Sequence, residues 1–292
     1  MRESNFWDEF EYSKLKLLLN IDKVNSIMDV ANGKQMLDKS FPISVELHLT
    51  DLCNLKCSWC TDKELRKNKA TLSLETIRKI FKEFAEHNTG ITLEGGGEPT
   101  LHPNFKEIVD VGSELGLDLG LITNGTIDIS DSIHKLKWIR VSLDSSNENE
   151  YKSEKGVDAF EKVLENLKRM TAIRNPQKTF VGVGYVLTKR NQNNLADLIN
   201  QLDEIGIDYI YIRPVEEAPD IMPTVEEMLD LRKKLVEITS NKRIKYMLTI
   251  ADRVVEKNNS LPCIAHSLTS IIHANGDVSL CEKRRNENTV LG

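Results

Sequence analysis

A chain of 292 residues, 40% hydrophobic and 29% charged, can bury one large core or two ordinary ones. Its formal charge of −6 argues against general attraction to nucleic acid or to an anionic membrane. Residues 1–11 mix acids with aromatics and lack the apolar run of a secretory signal, and no window approaches the ~18 consecutive apolar residues of a membrane span. The expectation is a cytoplasmic protein with no membrane and no nucleic-acid partner.

In chain order, residues 1–41 read as a short helical segment, with apolar stripes at Leu15, Leu18, Leu19 and at Val24, Ile27, Met28, followed by Gly33. From Pro42 onward, short β-rich runs at 43–49, 90–93, 118–123, 138–143, 180–187 and 209–213 alternate with amphipathic stretches at 73–86, 105–115, 158–173, 194–204 and 224–239. Strand–helix alternation of this kind implies parallel strands with right-handed crossovers, in a doubly wound sheet or an incomplete barrel. In either case ligands gather at the C-terminal ends of the strands, so functional residues should sit just after them. Past Leu248 the alternation fades into a tail with a β-hairpin expected around Asn275-Gly276-Asp277.

There are five cysteines: Cys53, Cys57, Cys60, Cys263 and Cys281. An odd number with three packed into eight positions is a poor disulfide framework, and in a reducing compartment it reads as metal or cluster ligation. Cys53, Cys57 and Cys60 form a C-x-x-x-C-x-x-C directly after the first strand. Three thiolates from one loop can hold three corners of a cubane cluster and leave one iron open to a small molecule, whereas a structural zinc site wants four ligands. The alternative use of the same thiols is a zinc site completed by a distant His or Cys. Trp59, between the second and third cysteines, is either a core aromatic or a face beside the cluster that packs against an adenine.

The motif resembles that of the radical S-adenosylmethionine enzymes, and the resemblance runs over about residues 42–214. It implies an α/β fold, a partial (β/α)6 TIM-like barrel of parallel strands. It also implies a [4Fe–4S] cluster whose open iron takes the amino and carboxylate groups of S-adenosylmethionine, and reductive cleavage to a 5′-deoxyadenosyl radical. The second strand ends in Glu94-Gly95-Gly96-Gly97-Glu98-Pro99-Thr100, which looks like the family's glycine–glycine–glutamate segment for the methionine amino group. Independently of the family, glycines at a strand end leave the backbone open to close approach, and Glu98 adds a carboxylate that favours an ammonium.

Thr123-Asn124 and Ser142 with Asp144 end the third and fourth strands, and they suit ribose hydroxyls and the methionine carboxylate, as the family uses such strand ends. Singly, each could be a turn or helix cap. Gly182 and Gly184 lie inside the fifth strand, and the matching family region passes near the adenine, which makes Val186 and Leu187 candidate contacts. Arg213 ends the sixth strand and could hold a carboxylate or phosphate, or bridge Glu216 and Glu217. His102 and His48 read as structural rather than as acids or bases.

Cys263, twelve residues, Gly276, four residues and Cys281 resemble the opening of SPASM and twitch extensions, which hold auxiliary iron–sulfur clusters. Two thiolates cannot complete such a site. A truncated longer protein, a contribution from His266, His273 or a second chain, or a vestigial site would each account for this, truncation being the preferred expectation. The division expected is 1–41, 42–248 and 249–292. The substrate expected is a small polar molecule of sugar, aminocyclitol or nucleotide type. A ribosomal peptide comes second, since the residues before Pro42 are too few for a leader-binding domain. The partners expected are this substrate and a reductant such as flavodoxin or ferredoxin. A non-catalytic iron–sulfur or zinc scaffold is the alternative of another class.

Overall fold

Residues 21–34, 41–64, 66, 69–216, 218–249 and 268–281 are described by the computed structural model. Leu15, Leu18, Leu19, Glu217, Cys263, His266 and the last residues of the chain therefore lie outside the described residues.

The apolar runs after Pro42 become strands because both of their faces are covered or enclosed, as in any parallel sheet. They are β1 (Ser44–Leu47), β2 (Gly90–Leu93), β3 (Leu119–Thr123), β4 (Trp138–Ser142), β5 (Phe180–Leu187) and β6 (Tyr209–Pro214), each parallel to the next. The connecting helices are α2 (Leu74–Glu86), α3 (Phe105–Glu114), α5 (Phe160–Ile173), α6 (Leu195–Ile205) and α7 (Val225–Thr239). Ser73 and Thr224 start α2 and α7 as N-caps, and Thr224 forms a full capping box with Glu227. Every second strand residue, such as Val45, Leu47, Ile139 and Val141, is buried in one core with Ile77, Phe81, Val163 and Leu198 from the helices. Burying each such side chain contributes about 1.5–3 kcal/mol.

Three elements go beyond the expected alternation. A seventh parallel strand, β7 (Lys245–Leu248), adds to β6. A polar helix, α4 (Glu148–Lys155), follows β4; Asn147 caps its start and Gly156, in the left-handed conformation, ends it. The expected hairpin forms from β8 (Thr269–Ile272) and β9 (Val278–Ser279), and β8 pairs parallel with β1.

The sheet thus runs β7-β6-β5-β4-β3-β2-β1-β8-β9. It is an α/β, open, partial TIM-like barrel whose C-terminal hairpin continues the same sheet. Before it lies α1 (Ile21–Ala31), on which Ile21 and Met28 are exposed. No helix among the described residues is long and apolar enough to cross a membrane.

Candidate active site

The cysteine loop leaves β1 and is gripped from two sides. On one side lies the glycine run after β2. The Gly97 N–H donates to the Thr50 carbonyl at 2.8 Å, and the Glu98 N–H to the Leu52 carbonyl at 2.7 Å. Gly95 and Gly96 take left-handed φ values of +67° and +58°. A Cβ on Gly95 would lie 2.0 Å from His48 Nε2, and one on Gly97 would lie 2.0 Å from the Leu52 oxygen. Glycine at 97 lets two backbones touch, and glycine at 95 lets the backbone close over the His48 ring. On the other side lies the C-terminus of α4, whose last carbonyls have no helical partner. The N–H groups of Lys56 and Ser58, either side of Cys57, donate to the carbonyls of Lys155 and Glu154 at 2.9 and 3.0 Å, and Ser58 Oγ donates to Glu154 Oε2 at 2.9 Å.

All three thiols line one cleft of about 390 Å³, together with the glycine run and the polar ends of β3 and β4. Burial pushes the Cys53 and Cys57 thiols up, while the charges of Arg66 and Lys155 respectively pull them down. Arg66 also donates to Cys60 Sγ at 3.3 Å. Among the described residues no three His, Cys, Asp or Glu side chains are grouped as a single metal ion would need. In a cluster each thiolate binds its own iron instead of crowding about one centre at ~2.3 Å, so three cleft-lining thiols on a braced loop fit a cluster.

Glu98 is buried, and its carboxylate knits the strand ends together. Oε1 accepts from Thr100 N, Thr100 Oγ1 and Thr123 Oγ1 at 3.1, 2.6 and 2.6 Å, and Oε2 accepts from Asn124 N at 2.7 Å. Burial drives this carboxyl above its usual range, against the four hydrogen bonds that pull it back. Oε1 is saturated, so an ammonium approaching Glu98 has Oε2 and the backbone of residues 95–97 to meet. Asn124 extends the network: its Nδ2 donates to Asn54 Oδ1 at 2.8 Å, tying the end of β3 to the residue after Cys53.

Asp144 is committed as well. Its Oδ1 accepts from Val186 N at 2.7 Å and its Oδ2 pairs with Lys155, both side chains being almost fully buried. Burial alone would lower the Lys155 pKa; the charges of Asp144 and Cys57 outweigh it and raise the pKa. The Lys155 ammonium also sits 5.7 Å from the Trp59 ring centroid, and Trp59 lines the cleft. Of the expected residues, Trp59, Gly95, Gly96, Gly97, Glu98, Thr123, Asn124, Ser142 and Asp144 all line this cleft. Leu187 is fully buried in the hydrophobic core, and its neighbour Val186 lines the cleft in its place. The reason is the period of two: adjacent residues of β5 point to opposite faces.

A family model described as the radical SAM superfamily matches residues 47–202. The chain belongs to the radical SAM superfamily. It is 29% identical over 273 residues to a probable GTP 3',8-cyclase of Sulfurisphaera tokodaii, covering 86% of this chain and 85% of that protein. A probable GTP 3',8-cyclase of Saccharolobus solfataricus is 27% identical over 213 residues, 69% of this chain and 67% of its own. Among solved structures, Streptococcus suis SuiB bound to S-adenosylmethionine matches with a TM-score of 0.70 at 16% identity, covering 96% of this chain and 72% of SuiB. The structure of anSMEcpe with bound AdoMet matches at 0.67 and 17%, covering 86% and 77%. This radical SAM protein is therefore an enzyme, and its family implies a [4Fe–4S] cluster and S-adenosylmethionine.

Other parts of the radical SAM fold were less legible. Cys281 follows β9 and is half-buried. His273 Nε2 lies 2.7 Å from Ser279 Oγ, and its ring meets that of His48 edge-on at 5.1 Å, so the hairpin reaches the residue beneath Gly95. His102 is buried, with Nε2 2.8 Å from the Leu72 carbonyl oxygen and Nδ1 accepting from Asn104 N at 3.1 Å, which is a structural role. Arg66, Lys155, Arg140, Tyr211, Glu46 and Glu94 line the cleft without having been singled out for it. A signal for Arg140 existed: in Trp138-Ile139-Arg140-Val141-Ser142 the polar residues alternate with core residues, and in a sheet covered by helices the polar face must turn to the cleft.

Proposed function

We propose that this cleft is where Cys53, Cys57 and Cys60 hold a [4Fe–4S] cluster and the strand ends hold S-adenosylmethionine, and that the enzyme abstracts hydrogen from a small polar substrate of nucleotide type. The bound cluster and cofactor would supply the 5′-deoxyadenosyl radical. The chain's own part is to hold the thiols in one mouth, offer the backbone of residues 95–97 and the polar side chains of Thr123, Asn124 and Ser142 to the cofactor, and enclose the substrate away from water. The observation that carries the reading is the double grip on the cysteine loop beside the glycine run: a loop braced at Thr50, Leu52, Lys56 and Ser58 fixes three thiols in advance of their irons. A nucleotide is favoured over a peptide because relatives of like length are named GTP 3',8-cyclases. On this reading the twitch-like tail would form an auxiliary cluster at Cys263 and Cys281 only with further ligands, and a flavodoxin or ferredoxin would deliver the electrons.

The test is anaerobic reconstitution with iron and sulfide, then incubation with S-adenosylmethionine and dithionite. About four irons per three-cysteine site and formation of 5′-deoxyadenosine are expected, both lost in Cys57→Ala. Full iron without 5′-deoxyadenosine would overturn the radical reading. Yields indifferent to every added nucleotide would remove the substrate class alone.

A further inference from the structure

Two residues of β4, Arg140 and Ser142, line the cleft, and the first is a cation without a counter-ion among the described residues. Arg140 is half-buried between the core residues Ile139 and Val141 of the same strand, and it lines the cleft. Its Cζ stands 5.0 Å from the centre of the Tyr211 ring and 5.8 Å from that of Trp138. Among the described residues no carboxylate pairs with it and no acceptor receives its N–H groups. Other sheltered cations are matched: Lys155 with Asp144, and Arg174 with both carboxylate oxygens of Asp208.

The neighbouring strands make room for it. Register aligns Ser142, Gly184 and Tyr211 across β4, β5 and β6. A Cβ on Gly184 would lie 3.4 Å from the Arg140 Cδ, so glycine there leaves the arginine stem uncrowded while Tyr211 lies against its guanidinium. A guanidinium stays charged at any ordinary pH and offers five donors in a planar fork but no acceptor. Aromatic faces stabilise its charge yet satisfy none of those donors. Arg213 at the end of β6 lines the same cleft, as do acids at Glu46 on β1, Glu94 after β2 and Asp144 after β4.

We infer that Arg140 is the anchor for an anionic group of the substrate, a phosphate or a carboxylate, gripped by the guanidinium fork with Tyr211 behind it. Charge-assisted, two-pronged contacts of this kind give orientation as well as affinity. With its anion at Arg140, a substrate lies in the cleft that the cysteine loop also lines. The inference rests on the cleft being the reaction site.

Equilibrium dialysis of the anaerobically reconstituted protein, with S-adenosylmethionine present, tests it with GTP, guanosine, tripolyphosphate and glutarate as probes. Wild type is expected to hold GTP about ten- to a hundred-fold tighter than guanosine, and Arg140→Gln to erase that ratio without changing guanosine binding. Displacement of GTP by tripolyphosphate marks a phosphate site; retention of glutarate in preference marks a carboxylate site. Should Arg140→Gln melt well below wild type, Arg140→Met, which keeps the stem against Tyr211, reads the same ratio. A wild-type ratio in either folded variant, or no anionic probe held by wild type, overturns the inference. Formation of 5′-deoxyadenosine by wild type is scored separately. Its absence with the ratio intact removes the radical reading and leaves the anion site; its presence with the ratio unchanged in Arg140→Gln removes the anion site alone.

Discussion

At Gly97 a Cβ would lie 2.0 Å from the Leu52 oxygen and 2.5 Å from the Leu52 carbonyl carbon, backbone atoms that cannot swing aside. The next residue is Cys53, so relief of that clash must move the first thiol. Gly97→Ala is accordingly expected to lose most of the iron taken up on reconstitution while the rest of the sheet stays folded. Gly116→Ala is the control: its φ is +75° and the space around a Cβ is open, so it should cost about 1 kcal/mol of stability through backbone strain alone. Iron analysis beside thermal melts separates the two. Wild-type iron in Gly97→Ala would mean that the glycine run does not set the cysteine loop. Glu98 makes the same point about roles. Its place after the glycines was legible, and the two bonds from Thr100 are local to the same turn, but the third bond on Oε1 was not, because Thr123 comes to it from the end of β3.

Among the elements, α4 was the hardest to foresee and is among the closest to the cysteines. Its sequence Glu148-Asn149-Glu150-Tyr151-Lys152-Ser153-Glu154-Lys155 has no apolar stripe, so periodicity is silent; caps at both ends and contacts with the cysteine loop make it a helix. The edge strand β7 escaped for a related reason, being only partly buried and lacking a long apolar run. By contrast, β1 to β6 were legible since helix-covered parallel strands demand continuous apolar runs, and the site could then be sought at their ends. Lys155 escaped because a lysine in a polar helix reads as a solvated face; only the fold buries it against Asp144. Lys155→Met should leave Asp144 charged and unpaired in the interior and cost about 3–5 kcal/mol, read as a fall in melting temperature. Adding Asp144→Asn removes that orphan charge and should recover part of the loss. A double variant no more stable than Lys155→Met would show that the pair is not coupled.

For the whole molecule, the decisive contact is between the first strand of the barrel and the last hairpin. Without β8, β1 would be an edge strand carrying the cysteine loop, and edge strands fray and pair with other chains. With it, Ser44 to Leu47 are bonded on both sides, the His48 N–H donates to the Ile272 carbonyl at 2.8 Å, and Ile272 enters the main core. β8 and β9, which follow residue 249, thus belong to the same sheet as the strands before it. Cutting Ile272 to alanine should destabilise the entire sheet by about 2–5 kcal/mol, with one unfolding transition. Amide exchange at Val45, Leu47 and His48 should then quicken together with that of β2 and not with β9 alone. A hairpin that melted separately, with unchanged exchange at β1, would make it an appendage. Concerted loss would make it a structural wall of the site, because His273 on the same hairpin backs His48, the side chain over which Gly95 closes.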